Sequence, residues 1–223
     1  MPQLPPGLEA AAALYVILSI AASAIVIIDL SMFAPAQKMA IMKVVWPLTA
    51  LYWGPIGLPF YFSIGREQPE HGHCDSEAPM WRATFKGAAH CGAGCALGDF
   101  AAEWIAFAVG FAILGSQLLG RFALSFALAY LIGIAFQYMA IEPMRNLGLR
   151  AGLAAAIKAD TLSLLAYEVG MFAWMGFRAW AWPELTPLNW SYWLMMQVAM
   201  LIGFATTYPV NWTLIRAGVK ERM

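Results

Sequence analysis

Every histidine and cysteine of the chain falls within one short window, residues 71–95. The six residues are His71, His73, Cys74, His90, Cys91 and Cys95. Random placement of six residues along 223 positions would rarely give such a cluster. Thiolates select Cu(I) or Zn(II), and imidazole suits Zn, Cu, Fe and Ni. The cluster therefore predicts a site for a soft metal ion, with copper expected first and zinc as the alternative.

The second half of the cluster has the spacing of a helix face. Cys91, Cys95, Asp99 and Glu103 follow one another at intervals of four residues. Side chains at this interval are neighbours on one face of a helix, about 5–6 Å apart at Cβ. The four positions cover about 18 Å of helix, so they cannot all contact one ion. We expect a thiol pair near the cytoplasmic end of the helix, with the two carboxylates continuing inward as a pathway.

Other side chains extend this predicted pathway. Glu168 lies within a long apolar segment, where an ionisable residue normally faces a bundle interior or a water-filled path. Thioether sulfurs also suit Cu(I). The methionines at helical spacing are Met171, Met175, Met196 and Met200. Purely structural roles stay open, because methionine and cysteine commonly fill cores. A zinc ion held by Cys74, Cys91, Cys95 and one histidine would likewise only pin a loop.

Several other chemistries lack their sequence signatures. The C-x-x-C-H motif of c-type haem attachment is missing. The chain also has no phosphate-binding glycine motif, no G-x-S-x-G elbow and no H-E-x-x-H. We therefore expect no haem and no nucleotide, and nothing positive indicates an enzyme. The net charge of zero gives no electrostatic case for nucleic acid.

The composition determines the kind of fold that must position these residues. Hydrophobic residues make up 61% of the chain and charged residues only 12%, with a mean hydropathy of +0.65. A soluble domain carries about 25% charged residues. Because backbone polar groups in lipid must be satisfied internally, long apolar runs predict helices that span the bilayer. The chain is therefore expected to be an all-α integral membrane protein, with residues 1–223 as a single domain.

Six apolar segments are long enough to cross a bilayer, which takes about 20 residues. They cover approximately residues 8–33, 39–64, 88–119, 122–141, 153–182 and 190–215. Pro47, Pro55 and Pro59 predict that the second helix is broken, because each proline removes a backbone donor. Residues 66–86 form a polar loop. With six spans, nine Lys and Arg residues share one side with both termini and four lie on the other, so both termini are expected in the cytoplasm.

Two stretches of the sequence carry a likeness to a known family. The first runs from Lys86 to Cys95 and continues through Gly98-Asp99 to Glu103-Trp104. The second comprises Gly203-Phe204, Tyr208 to Trp212, Leu214 to Arg216 and Gly218 to Glu221. From about residue 80 onward, the chain resembles the bacterial multi-pass membrane family catalogued as domain of unknown function 4396. The resemblance implies an inner-membrane location and one motif containing His90, Cys91, Cys95, Asp99 and Glu103, but no reaction.

These observations lead to one preferred function and two alternatives. The chain is expected to transport, store or deliver Cu(I), with His71, His73 and Cys74 collecting the metal from a cytoplasmic donor. The first alternative is a non-catalytic structural or assembly subunit that binds other membrane subunits. The second is a thiol switch, which is less favoured because two cysteines four apart on an intact helix are poorly placed for a disulfide.

Overall fold

The computed structural model describes Pro5 and residues 7–37, 39–67 and 79–222. The predicted ligands His71, His73 and Cys74 lie outside the described residues. Regular structure in the described part is helical, apart from one isolated bridge between Ile113 and Ser116. The long helices are α1 (Leu8–Met32), α2 (Met42–Trp53), α4 (Met80–Val109), α5 (Gln117–Arg145), α6 (Gly148–Ala181) and α7 (Trp190–Arg216). The short helix α3 (Gly57–Phe60) lies between a 3₁₀ turn, Gly54–Ile56, and a π turn, Tyr61–Gly65.

Four of the described helices, α1, α4, α5 and α7, are long and apolar enough to cross a membrane. α6 is longer still, at 34 residues. It is less apolar because it carries Lys158, Asp160, Glu168 and Arg178. The all-helical membrane architecture is therefore confirmed at the level of four apolar spans, whereas six spans were expected.

The segment expected to form the second span turns back on itself. α2 ends at Trp53, and Gly54 adopts a positive φ of 66° that favours glycine. Near this tip, the Tyr15 hydroxyl of α1 donates to the Trp53 carbonyl at 3.0 Å. The segment ends where Arg66 pairs with Asp29, close to the C-terminal end of α1, at 2.9 Å. Residues 42–65 thus form a re-entrant hairpin that enters and leaves at the same end of the bundle.

The contacts of the hairpin stem support this path. The ring of Trp46, one turn into α2, lies so close to Gly65 that a Cβ on Gly65 would overlap it. The Gln37 amide donates to the Gly65 carbonyl at 3.0 Å. Both arms of the hairpin, the start of α2 and the residues around Gly65, are therefore anchored beside the end of α1. The predicted break occurs at Pro55, in the turn after α2, whereas Pro47 lies inside the continuous α2. The break reverses the chain instead of kinking one spanning helix.

The two described ends of the chain lie at opposite ends of the bundle. The Glu9 carboxylate accepts from the backbone N–H groups of Trp190 and Ser191, at 2.7 and 3.0 Å, which joins the starts of α1 and α7. At the other end, Lys220 pairs with Asp160 in the first half of α6 at 2.5 Å. We call these two ends the Glu9 end and the Lys220 end. The expectation that both termini share one side does not fit this arrangement, because the hairpin does not cross.

Small residues bring α4 and α5 into close contact. A Cβ on Gly94 would lie 2.8 Å from the Cα of Gly133, and one on Gly98 would overlap the backbone of Ala129. Such stretches allow helix backbones to approach closely in membranes. Gly94 and Gly98 therefore permit the close approach of α5 to α4.

This contact gives a prediction about stability. Gly94→Ala should lower the free energy of unfolding by about 1–3 kcal/mol, because the added methyl overlaps backbone that has little room to move. The matched control is Gly176→Ala in α6, where the nearest atom lies 4.0 Å from the added Cβ. Thermal unfolding in detergent should show a lower Tm for the first variant only. Equal melting of the two variants would contradict the packing at Gly94.

Candidate functional site

The predicted helical series lies on α4 and is buried throughout. His90, Cys91, Cys95 and Asp99 are fully buried, and Glu103 is 3% exposed. α4 begins at Met80 and ends at Val109, so Cys91 and Cys95 lie near the middle of the helix. The sequence analysis placed them at its cytoplasmic start, since the Gly/Ala-rich residues before them were not counted as membrane helix. We call the buried series from Cys91 to Glu103 the polar column.

Cys91 and Cys95, the thiol pair, are unoxidised and contact each other across one helical turn. The tip of the re-entrant hairpin reaches them through Tyr52, which acts electrostatically with both thiols. Tyr52 approaches because Gly92 has no side chain, and a Cβ there would lie 2.6 Å from the Tyr52 hydroxyl oxygen and 3.0 Å from that of Tyr167. The thiol pair is therefore enclosed by two tyrosines from α2 and α6.

The two tyrosines differ in their hydrogen bonding. The Tyr167 hydroxyl donates to the Met200 carbonyl at 2.9 Å and lies 3.5 Å from the Met200 sulfur. The Tyr52 hydroxyl is buried and has no hydrogen bond of normal geometry among the described residues, although the Thr49 and Trp53 side chains lie near it. A buried hydroxyl without a well-formed hydrogen bond is costly. The hairpin tip thus holds a polar group beside the thiol pair.

Glu168 of α6 joins the polar column at Cys95. Its carboxyl interacts with the Cys95 thiol and with Asp99 one turn further along α4. Neither oxygen of Glu168 and neither oxygen of Asp99 has a hydrogen bond of normal geometry within the described part of the chain. Buried carboxyls are normally hydrogen-bonded, and exceptions call for a bound partner or a functional role. The middle of the column therefore has unused acceptors for a cation or a proton.

Glu103, at the Glu9 end of the column, is fully paired instead. It accepts from the Tyr192 hydroxyl and lies 3.6 Å from the Arg121 guanidinium. Arg178 stacks over the Tyr192 ring at 4.5 Å from the centroid and donates to the Leu185 carbonyl at 3.2 Å. Residues from three other helices, α5, α6 and α7, thus surround Glu103. This end of the column is a structural network as well as part of the predicted pathway.

His90 is adjacent to Cys91 in sequence but belongs to a different group of residues. Its ring lies 6.1 Å from that of Phe136 of α5, and both charges of the Asp160–Lys220 pair act on it. Neither ring nitrogen has a hydrogen bond of normal geometry in the described structure, although the Phe136 backbone lies close enough to interact with the ring. Consecutive helical positions point about 100° apart. His90 and the thiol pair therefore face different neighbours.

The four predicted methionines are all buried. Met200 contacts Tyr167, and with Met196 it lines a largely apolar cavity of about 590 Å³ that also reaches Tyr52. Met171 and Met175 lie in the core of α6. Met200 is therefore the methionine that the contacts connect most directly to the thiol pair, through Tyr167.

No group of three or more His, Cys, Asp and Glu side chains among the described residues is arranged to hold a metal ion. The zinc site that would combine Cys74 with the thiol pair includes a residue outside the described part. Within that part, the thiol pair offers two sulfur ligands with one carboxyl beside them.

Sequence reasoning missed three members of this arrangement. Tyr52 was assigned to a spanning helix, and Tyr167 gave no signal beyond its place in an apolar segment. Lys220 was counted only as part of a basic tail. One signal was available for Lys220, since it occurs within the stretch Gly218 to Glu221 that carries the family likeness.

The comparisons with known proteins agree with this likeness. No curated protein and no solved structure matches the chain. A family model described as "Domain of unknown function (DUF4396)" matches residues 80–220. The match begins where α4 begins and ends at Lys220, so it contains the polar column and its partners on α5, α6 and α7. The chain belongs to this DUF4396 family.

Proposed function

We propose that this protein is a multi-pass membrane protein that moves Cu(I) across the bilayer, with Cys91 and Cys95 as its central binding site. The observation that carries the proposal is the buried thiol pair halfway along α4, beside Gly92, which contacts Tyr52 at the tip of a re-entrant hairpin. Transporters place ion sites near the bilayer midplane, beside helices that are broken there. Irregular backbone at that depth is tolerated where protein or a cavity surrounds it.

The number of ligands favours copper over zinc. Soft thiolates select Cu(I), which accepts two sulfur ligands, whereas zinc sites normally have four ligands or three and a water. The thiol pair supplies two sulfurs. Tyr167 lies between this pair and the buried sulfur of Met200, which its hydroxyl contacts. The Glu168 carboxyl beside Cys95 can balance the charge of the cation.

The polar column supplies the remaining steps of the proposed path. Asp99 and Glu103 continue from the thiol pair toward the Glu9 end, and the four methionines line the surrounding core. A conducting path needs sites that bind well enough to accept an ion and weakly enough to release it. Sites with few ligands each suit that requirement better than one closed cage.

The distribution of charges supports an orientation of the bundle in the membrane. Of the described Lys and Arg residues, Arg121 and Arg178 lie toward the Glu9 end. The ten toward the Lys220 end are Lys43, Arg66, Arg82, Lys86, Arg145, Arg150, Lys158, Arg216, Lys220 and Arg222. The positive-inside rule puts such an end in the cytoplasm. We propose that the Lys220 end is cytoplasmic, in a bacterial inner membrane, and that the N-terminus is on the other side.

This topology predicts the behaviour of fusion proteins. A reporter that is active only in the cytoplasm should be active when fused after residue 222 and inactive when fused before residue 5. A reporter that needs the outer side should show the reverse pattern. Activity of the same reporter at both ends would contradict the topology and favour six spans.

The cytoplasmic side also suits the remaining predicted ligands. Glu67 and Pro79 flank the segment that contains His71, His73 and Cys74, and Arg66 and Met80 beside them belong to the Lys220 end. A cytoplasmic metal donor would meet this segment first. We propose that it collects Cu(I) in the reducing compartment, where thiols stay unoxidised.

Metal loading tests the proposed function. The protein, purified without oxygen in detergent, should bind about one Cu(I) or its analogue Ag(I) per chain at the thiol pair and prefer both to Zn(II). Mass spectrometry gives the metal content of each sample. Failure to retain any of the three metals, together with constant co-purification of other membrane proteins, would favour the structural-subunit alternative.

A further inference from the structure

The chain after α7 folds back into the bundle. Gly218 has a φ of +71°, and the backbone N–H groups of Val219 and Lys220 donate to the Leu214 carbonyl at 3.0 and 3.2 Å. This turn directs Lys220 inward. Glu221 pairs with Arg145 at the end of α5 at 3.0 Å. The tail is therefore anchored on both sides of Lys220.

Lys220 reaches a fully buried acid. Its ammonium lies 2.5 Å from Asp160 Oδ1, and both side chains have no solvent exposure. The second Asp160 oxygen has no hydrogen bond of normal geometry within the described residues, and the same holds for both nitrogens of the nearby His90. A buried pair is weak evidence of a device for stability, because desolvation offsets most of the attraction.

Other polar groups complete the surroundings of the ammonium. A Cβ on Gly87 of α4 would lie 3.7 Å from Lys220 Cε and 3.4 Å from Asn211 Oδ1. Asn211 in turn accepts from the Ser163 hydroxyl at 3.2 Å. The ammonium supplied by the tail thus pairs with Asp160 of α6, and the lysine stem and Asn211 of α7 both lie against Gly87 of α4.

We propose that Asp160, His90 and Asn211 form a cation-binding site at the cytoplasmic entrance of the polar column, and that the Lys220 ammonium occupies it as a tethered plug. Lysine is a compact charge on a flexible stem, so it can leave the site without rearrangement of the helices. The Lys220 stem lies against Gly87, which is one helical turn before Cys91 on the same face of α4, and the plug therefore closes the route to the thiol pair. The identity of the entering cation, Cu(I), and the cytoplasmic side of the entrance rest on the proposed function.

Access of a reagent to Cys91 tests the plug without any metal. The test protein carries Cys74→Ser and Cys95→Ser, so that Cys91 is its single cysteine, and is reconstituted in lipid vesicles. A small, positively charged methanethiosulfonate is added from the Lys220 side. When Lys220→Ala is introduced into this protein, the rate of Cys91 modification should rise on the order of tenfold. The rate follows the population of the form in which the lysine has left the site. Arg216→Ala, at an exposed position nearby, should leave the rate unchanged.

A second variant separates the plug from a purely structural ion pair. Lys220→Ala leaves Asp160 unpaired, whereas Asp160→Asn with Lys220→Ala removes both charges. The double variant should still admit a neutral reagent of the same size, but it should lose the preference for the positively charged one. Folded variants that modify Cys91 no faster than the parent protein would overturn the plug. Because no metal is present, that result would leave the proposed function untouched.

Discussion

Replacement of both Cys91 and Cys95 by serine is expected to abolish Cu(I) binding while the protein stays folded. Serine has nearly the size of cysteine, so the contacts of Gly92 and of both tyrosines should persist. A hydroxyl is a poor ligand for a soft metal. Bound copper should fall from about one ion per chain to none under a competing chelator. The expected loss of bound copper is large because the double variant has no thiol left on α4 within the described structure.

Single variants and a distant cysteine provide the controls for this prediction. Cys91→Ser and Cys95→Ser should each lose most of the affinity, since each leaves one thiol. Cys74→Ser should keep the tightly bound ion and only slow its uptake from a donor. Thermal unfolding of the metal-free proteins establishes that each variant is folded. Retention of a full equivalent of copper by the double variant would show that the site lies elsewhere.

Glutamine in place of each of two buried glutamates should have different effects. At Glu103 it should mainly lower stability, and at Glu168 it should mainly lower Cu(I) transport. Glu103→Gln is expected to lower the free energy of unfolding by about 3–5 kcal/mol, because it leaves buried cations without their counter-charge. Arg121 lies 3.6 Å from Glu103, with side-chain exposures of 14% and 5%. Arg178 contacts the same network through Tyr192.

Glu168→Gln is the matched variant. The Glu168 oxygens have no hydrogen bond of normal geometry among the described residues, so the amide should change stability by less than about 1 kcal/mol. It should nevertheless lose most of the Cu(I) transport, since the charge beside Cys95 is gone. Thermal unfolding and vesicle uptake of both variants give the comparison. Equal destabilisation by the two changes would mean that Glu168 is also a structural charge.

The sequence predicted which side chains of α4 follow one another along the helix better than it predicted where the helix begins and ends. A four-residue interval between Cys91, Cys95, Asp99 and Glu103 is a local property of one helix, and that helix is continuous through all four positions.

The ends of α4 were less predictable. Residues 80–86 were assigned to the polar loop, and the helix was expected to start near residue 88. They form the first turns of α4 instead, because α7 packs on them through Phe204 against Phe85 and Tyr208 against Trp81.

The path of the second apolar segment could not be derived from hydropathy. Three prolines indicate a break, but a break is compatible with a kinked span or with a hairpin. Tertiary contacts decide between these possibilities, namely Tyr15 with Trp53 at the tip and Asp29 with Arg66 at the stem. Because the hairpin does not cross, the described starts of α1 and α7 lie together at one end of the bundle and Lys220 at the other.

Contacts between distant parts of the chain account for the rest of the site. Tyr52, Tyr167 and Lys220 contribute through tertiary structure, and no local pattern marks them. Lys220 illustrates the difference, because a basic tail normally remains in solvent or near lipid head groups. Here a turn at Gly218 directs it to Asp160.

Cu(I) uptake into vesicles tests the central claim most directly. The wild-type protein and the Cys91→Ser/Cys95→Ser variant are reconstituted at equal density, Cu(I) is kept reduced outside, and an impermeant copper indicator is enclosed. We predict uptake by the wild type well above that of protein-free vesicles, and uptake by the variant at the protein-free level. Equal uptake by the two proteins, or none by either, would contradict a copper path through the thiol pair.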